Sequence, residues 1–340
     1  MKYLPKQTVS MKFNFKAKAA ITPVIGEPQT NIEWSELRRY ESIHNKYDTY
    51  YFLGAPVKLC SWLPLPAHVN EQYLAVVYRQ DMFKFVKFTQ PTQHHTVILI
   101  MKVTQKNQKP QLDIHYGFVV PDGPVHHVSF LPSGGYDESS NRLGLVAVAT
   151  VSSAVKIYSL PLNIEGKVIS SETNNYNEDI TLIEVKPSFL LNLDLLHKQQ
   201  HVLLDTQCLQ ICWSEFNGHQ HIFASFANGF IGIWDITNDL QENLNRFVEN
   251  DIINYAPLNY FYVGEKSVKC FALHYDTSGP RWLAVSGAYR KFLIFDIKCF
   301  MQPMIMREEV NKNILLSMDW CPLWETLLYS YGDDIPNSKY

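Results

Sequence analysis

From about residue 50 onward, apolar positions come in short runs and alternations of period two, bounded by polar turns. Cys208–Ile236 carries the clearest example. It predicts strands over Cys208–Trp213, His221–Ala227 and Phe230–Ile236, the last two joined by Asn228-Gly229. Asn-Gly predicts a type I′ turn, whose two central residues both need φ > 0. The third strand ends in Trp234-Asp235.

The layout recurs. Upstream, the pattern predicts strands over Val57–Trp62, Tyr73–Tyr78, Phe83–Phe88 and Val97–Val103, forming one antiparallel sheet. A second unit follows: Pro124–Phe130, Leu143–Thr150 and Ala154–Leu160, with Tyr158-Ser159 where the third unit has Trp-Asp. Ile180–Val185 is expected as its outer strand, after a polar, asparagine-rich connector. Ser267–Leu273, Trp282–Ser286 and Phe292–Ile297 make a fourth unit, and Leu315–Trp320 with Glu325–Tyr331 begin a fifth. First strands thus end near Trp62, Phe130, Trp213, Leu273 and Trp320. These intervals exceed the ~40–45 residues of a WD repeat, so most units carry insertions.

One small sheet cannot bury both of its faces. Radial packing of neighbouring units can, so the repetition predicts an all-β, WD40-like β-propeller with degenerate repeats. Four blades are clear and a fifth is partial. The ring is either incomplete or closed by the N-terminal segment, where Met11–Lys16 alternates apolar and charged residues. Asn31–Arg39 is expected to form at most a short helix. We expect a basic segment over 1–50, partly disordered or lending one strand, a propeller over 51–335 and a tail over 336–340.

Composition agrees with this class: 46% of residues are hydrophobic and 13% aromatic, enough for a sizeable β-rich core. The formal net charge of −3 gives no global pull toward nucleic acid. Six cysteines without a C-x-x-C pair are expected to be reduced core thiols in an intracellular protein. No apolar run reaches the ~18 residues of a transmembrane helix.

Charge is uneven, however. Arg79, Lys84, Lys87, Lys102, Lys106 and Lys109 stand against one acid, Asp81, and the first twenty residues carry Lys2, Lys6, Lys12, Lys16 and Lys18 with no acid. We expect Lys84, Lys87, Lys102, Lys106 and Lys109, with Lys12 and Lys16, to form a surface for nucleic acid or an acidic partner. Ordinary solvated strand faces are the simpler reading of the same residues. Lysine rather than arginine suits nonspecific phosphate contact.

Catalytic motifs are missing: G-x-S-x-G, the P-loop, G-x-G-x-x-G and H-E-x-x-H do not occur. His219 and His221, with His126 and His127 or His197 and His201, lack acidic or cysteine partners at ligand spacing. One of His126 and His127 should face inward and hydrogen-bond in the core. Asp235 and Asp296 occupy equivalent places in different units, too far apart for paired acid–base work. We expect no enzyme activity, cofactor, metal or small-molecule substrate. A propeller hydrolase would need acids or histidines at the inner-strand starts, which are mostly apolar.

Several motifs together resemble one family. Phe52-Leu53-Gly54-Ala55-Pro56-Val57 leads into Cys60-Ser61-Trp62-Leu63-Pro64, and Met318-Asp319-Trp320-Cys321-Pro322 echoes that signature near the end. Pro124-Val125 through Phe130-Leu131-Pro132-Ser133-Gly134, then Arg142–Val148 and Tyr158-Ser159-Leu160-Pro161, match in order, as do Cys212-Trp213-Ser214-Glu215, Asn228-Gly229 and Trp234-Asp235. From roughly Tyr51 to Asp333 the chain resembles the WD-repeat β-propeller subunit, polypeptide 2, of general transcription factor IIIC. The resemblance implies a nuclear, non-catalytic scaffold that docks other IIIC subunits at internal promoters of RNA polymerase III genes of the tRNA type. It would meet promoter DNA directly or through the complex, and no membrane. A generic WD-repeat adaptor in another intracellular complex is the alternative.

Overall fold

The computed structural model describes residues 2–3, 17–20, 34–37, 42–44, 49–78, 96–106, 109–164, 180–193, 206–215, 219–236, 246–264, 268, 270–276, 279–287, 292–298, 305–307, 315–321 and 328–332. The described chain is built of strands, in the order the alternation predicts.

The first sheet runs Val57–Trp62, Gln72–Tyr78, Thr96–Lys106, Lys109–Val120 from its inner to its outer edge, all antiparallel. The second runs His127–Phe130, Arg142–Ala149, Ala154–Pro161, Phe189–Asn192. Cys208–Trp213, His221–Phe226, Phe230–Asp235 and Asn259–Tyr262 make the third. The fourth is Cys270–Asp276, Gly279–Ser286, Phe292–Asp296 and Ile305–Arg307, and the fifth pairs Leu315–Trp320 with Leu328–Gly332.

Period-two alternation lets each sheet bury one face against the preceding sheet and the other against the next. In the second sheet, Val146, Val148, Tyr158 and Leu160 pack on Tyr73, Ile98, Ile100 and Phe118 of the first. Their sequence neighbours Ala147, Ala149, Val155 and Ile157 pack on Ile211, Ile222, Ala224 and Trp234 of the third. Phe223, Ile231 and Ile233 then meet Leu283, Val285, Leu293 and Phe295 of the fourth. Ala272 and Ala284 meet Met318 of the fifth. First strands touch first strands in sequence order. This is a β-propeller, with blades following one another along the chain.

Aromatic residues at the ends of the first strands lean back on the preceding blade. Phe130 joins the core shared with the first sheet, and Trp213 that shared with the second. The Trp320 indole N–H donates to the Ala272 carbonyl of the fourth at 3.1 Å. Trp62, at the end of the first strand of the first blade, is by contrast 57% exposed. The outward face of that blade is instead covered by Tyr51, Leu53 and Ala55, packed on Val76, Leu99 and Met101.

Four expectations are corrected. Leu182–Glu184 is not the outer strand of the second blade. It lies parallel to Lys109–Val120 at the edge of the first, where Ile183 is fully buried. The second blade's outer strand is Phe189–Asn192. Lys109–Val120 itself escaped the pattern, because its first half is polar. Trp34–Leu37 is not helical but pairs with Ala17–Ala20. In the Asn228-Gly229 turn only Gly229 has positive φ, 92°, and its N–H reaches the Phe226 carbonyl at 3.1 Å. That is a three-residue hairpin loop ending in a left-handed glycine, not a type I′ turn. Met11–Lys16 and Phe83–Phe88 lie outside the described residues.

Candidate functional site

Where the first strands of the first three blades begin, a polar chain links one blade to the next. Lys58, on the first strand of the first blade, donates to the Val125 carbonyl at 2.6 Å and stands 3.3 Å from His126 Nδ1. His126 Nε2 lies 3.1 Å from Gln207 Oε1, just before the third blade. The arrangement fits an imidazole that accepts from the ammonium through Nδ1 and donates to the amide oxygen through Nε2. Nearby, Lys156 pairs with Asp122 at 2.6 Å. These bonds fix blade against blade.

His127 points the other way. Its Nδ1 is buried without a hydrogen-bond partner, and burial, with the Lys58 ammonium adding to it, pushes its pKa down to about 4. The expected core hydrogen bond from an inward histidine is therefore not made through that atom. His219 is tied locally: its Nδ1 lies 3.0 Å from the Ser214 carbonyl oxygen, and its own carbonyl accepts the Trp213 indole N–H at 2.9 Å. His221 opens the second strand of the third blade, opposite Asp235. His197 and His201 lie outside the described residues. Among the described residues, no three histidine, cysteine or acidic side chains stand together as a metal site would require.

Asp235 and Asp296 end the third strands of separate blades. Asp296 accepts the Lys298 N–H at 2.9 Å and stands 3.5 Å from Arg281 Nε, so it braces a turn. Of the cysteines, Cys208 is buried, with its thiol pKa pushed up by burial, while Cys60 is exposed rather than part of the core.

Of the seven lysines expected at a basic surface, Lys12, Lys16, Lys84 and Lys87 lie outside the described residues. Lys102, Lys106 and Lys109 belong to one hairpin of the first blade, with Lys106 and Lys109 paired in register at its tip. Lys102 forms an ion pair with Glu71. That bond, with one from the Tyr73 hydroxyl at 2.8 Å, holds the Glu71 carboxyl below its usual range. The Lys102 charge is thus partly answered within the blade, a pairing that spacing along the sequence could not reveal.

The fold and these surfaces define a propeller of the WD-repeat kind. Over 324 residues the chain is similar to general transcription factor 3C polypeptide 2 of Pongo abelii and of Homo sapiens, 22% identical in each case, with 89% of this chain and 33% of the relative covered. The chain spans about a third of the length of the curated relatives it matches. No family model matches it. Among solved structures, Sqt1 of Saccharomyces cerevisiae superposes with a TM-score of 0.49 at 9% identity, covering 88% of this chain and 60% of that one. The β-propeller domain of Cps50 (Swd1) of Myceliophteria thermophila gives 0.47 at 12% identity, covering 85% and 70%.

Proposed function

We propose that this chain is a non-catalytic propeller subunit of a IIIC-like general transcription factor, working in the nucleus as a platform on which other subunits dock at internal promoters of tRNA-type genes. The observation that carries the reading is the similarity to general transcription factor 3C polypeptide 2 across 89% of this chain. The Lys58–His126–Gln207 chain joins three blades, which suits a rigid platform for docking. In this reading, residues 51–335 are the docking module and 1–50 a basic arm.

The Lys106–Lys109 hairpin tip, with Lys84, Lys87, Lys12 and Lys16, is the part of the surface assigned to promoter DNA or an acidic subunit; Lys102 contributes less, being paired. Capture of the tagged chain from nuclear extract tests the assignment. Recovery of RNA polymerase III factors supports it, and stable recovery of other partners without them overturns it. For the DNA contact, Lys106→Glu with Lys109→Glu should weaken binding. It should also flatten the dependence of log K on log salt by about 0.9 for each phosphate no longer neutralised. An unchanged slope assigns that surface to something other than DNA.

A further inference from the structure

The joints between successive blades follow one register rule. The end of a first strand pairs with a residue of its blade's second strand: Phe130 with Val146, Trp213 with Ile222, Leu273 with Leu283 and Trp320 with Leu328. Each of these first-strand ends packs on the preceding blade. That blade meets it from one residue past its own pairing position: Ala75 shares a core with Phe130, Ala147 with Trp213, Phe223 with Leu273 and Ala284 with Trp320. An aromatic ring on one side thus meets a smaller side chain on the other, as close packing requires. Trp320 adds a bond from its indole N–H to the Ala272 carbonyl of that preceding blade.

On the first blade the same place is held by Trp62, paired with Leu74. Phe130 and Trp213 are buried at their joints, whereas Trp62 is exposed. It stands on a continuous apolar face. Cys60 pairs with Val76 and Val57 with Tyr78, so Val57, Cys60 and Trp62 share the face of Leu74 and Val76. Val57 is 52% exposed, and Cys60 is exposed as well. Lys58 and Leu59 turn the other way, to the Val125 carbonyl and to the core shared with the second blade, so this strand puts no charge on that face. Further out, the face is already closed by Tyr51, Leu53 and Ala55 on Val76, Leu99 and Met101. What stays bare is the part that in the other blades receives a neighbouring sheet. A tryptophan in an apolar surround is a frequent anchor of protein interfaces.

Among the described residues, no sheet of this chain fits that place. Ala75, Ala147 and Ala284 are each buried inside a joint already made. The fifth blade has Tyr329 one residue past Leu328, the register position of Phe223, which takes a leucine and not a tryptophan. A second copy brings the same faces. We propose that the Val57–Cys60–Trp62 face docks a β-sheet of a different protein, which takes the part of a preceding blade. The internal joints define its chemistry: an apolar sheet face with a glycine-, alanine- or serine-sized side chain against the indole, and a backbone carbonyl for the indole N–H. The proposal gives the platform read above a docking face and rests on that reading for the partner's identity alone.

Footprinting of the Cys60 thiol tests it, on the full tagged chain purified alone and captured from nuclear extract with its partners. With about nine-tenths of the chain in the assembly, iodoacetamide should alkylate Cys60 about tenfold more slowly than in the free chain. Photoreactive benzoylphenylalanine in place of Val57 should cross-link to a strand of the partner that carries a small side chain. Trp62→Asp should release that partner and leave the urea midpoint of the free chain unchanged, because the indole it removes is exposed. Equal alkylation in the free and captured chain overturns the proposal whichever proteins are captured, and so does a chain recovered without partners. Cys60 protected in the free chain at every dilution, or a midpoint lowered by Trp62→Asp, would mean that the chain covers this face itself. Protection that grows with the concentration of the free chain would mean that two copies meet there. Both overturn the assignment to a different protein. Protection in an assembly without RNA polymerase III factors would sustain the docking face and overturn the IIIC-like reading instead.

Discussion

Gly232 lies directly beneath the indole of Trp234, two residues along the same strand. A Cβ on Gly232 would stand 2.7 Å from Trp234 Cζ3 and closer still to Cη2. The ring is fully buried between the second and third blades, so it has no room to move away. Trp234→Ala should cost about 3–5 kcal/mol of stability as a large-to-small core change. Gly232→Ala should cost about 1–3 kcal/mol by overpacking. The pair should be strongly non-additive, because alanine at 234 makes room for the new methyl. Urea denaturation of the three variants checks this, and additive losses would mean that the two residues do not compete for the same space.

How much of this was legible in the sequence differs from element to element. Near-continuous apolar runs such as Leu143–Thr150 and Phe230–Ile236 announce their strands because both faces of the sheet are buried. The blade count along the chain follows from their recurrence. Leu182–Glu184 was legible as a strand but not as a strand of the first blade. Nothing local distinguishes a strand lent to the neighbouring blade from a blade's own outer strand, and the pairing of Ile183 with Phe118 decides it. Gly232 reads as a weakness in a strand until the Trp234 ring above it is seen. The basic surface is the least legible part. A run of lysines shows charge, but not that Lys102 has Glu71 to answer it.

A second glycine joins the first two blades. Gly134 has φ +77° in the turn after Phe130, and a Cβ there would meet the Pro64 carbonyl, with its carbon at 2.9 Å. The Gly134 carbonyl in turn accepts the Leu145 N–H at 3.0 Å. The Leu-Pro turns that follow the first strands of both blades are therefore packed backbone to backbone. Gly134→Ala meets both left-handed strain and backbone that cannot give way, and should destabilise by about 2–3 kcal/mol. Gly264→Ala is the control. It shares the positive φ, 77°, but nothing lies within 4 Å of the added carbon, so only the strain of about 1 kcal/mol should appear. Equal losses at the two sites would remove the Pro64 contact from the account.

Acid should loosen the fold through His127. Unfolded, its imidazole titrates near 6.5; folded, burial with the nearby Lys58 charge holds it down to about 4. Between those values the unfolded chain binds the proton and the folded chain does not, so stability falls as pH drops from about 6.5 and levels off below about 4. The loss is at most about 3 kcal/mol. His115, lowered chiefly by burial, acts in the same direction. Denaturation midpoints at pH 7.5 and 4.5 measure the fall, and His127→Gln should shrink it. A slope unchanged by that substitution would assign the acid sensitivity elsewhere.

The polar chain across the first three blades should behave as two separable links. His126 faces Lys58 through one ring nitrogen and Gln207 through the other, and Gln207 is only 5% exposed. Removing the imidazole takes a donor from a buried amide oxygen, at about 1–3 kcal/mol. Once His126 is alanine, Gln207→Ala should cost less than it does alone, with a coupling of about 1 kcal/mol. Lys58→Met should lose its charged bond to the Val125 carbonyl, about 1.5–3 kcal/mol, with or without His126, because that bond does not pass through the ring. A double-mutant cycle over His126 and Gln207, with Lys58→Met measured in both backgrounds, separates the two links. A zero coupling between His126 and Gln207 would mean that the contact between these two side chains adds nothing to the joint between the second and third blades.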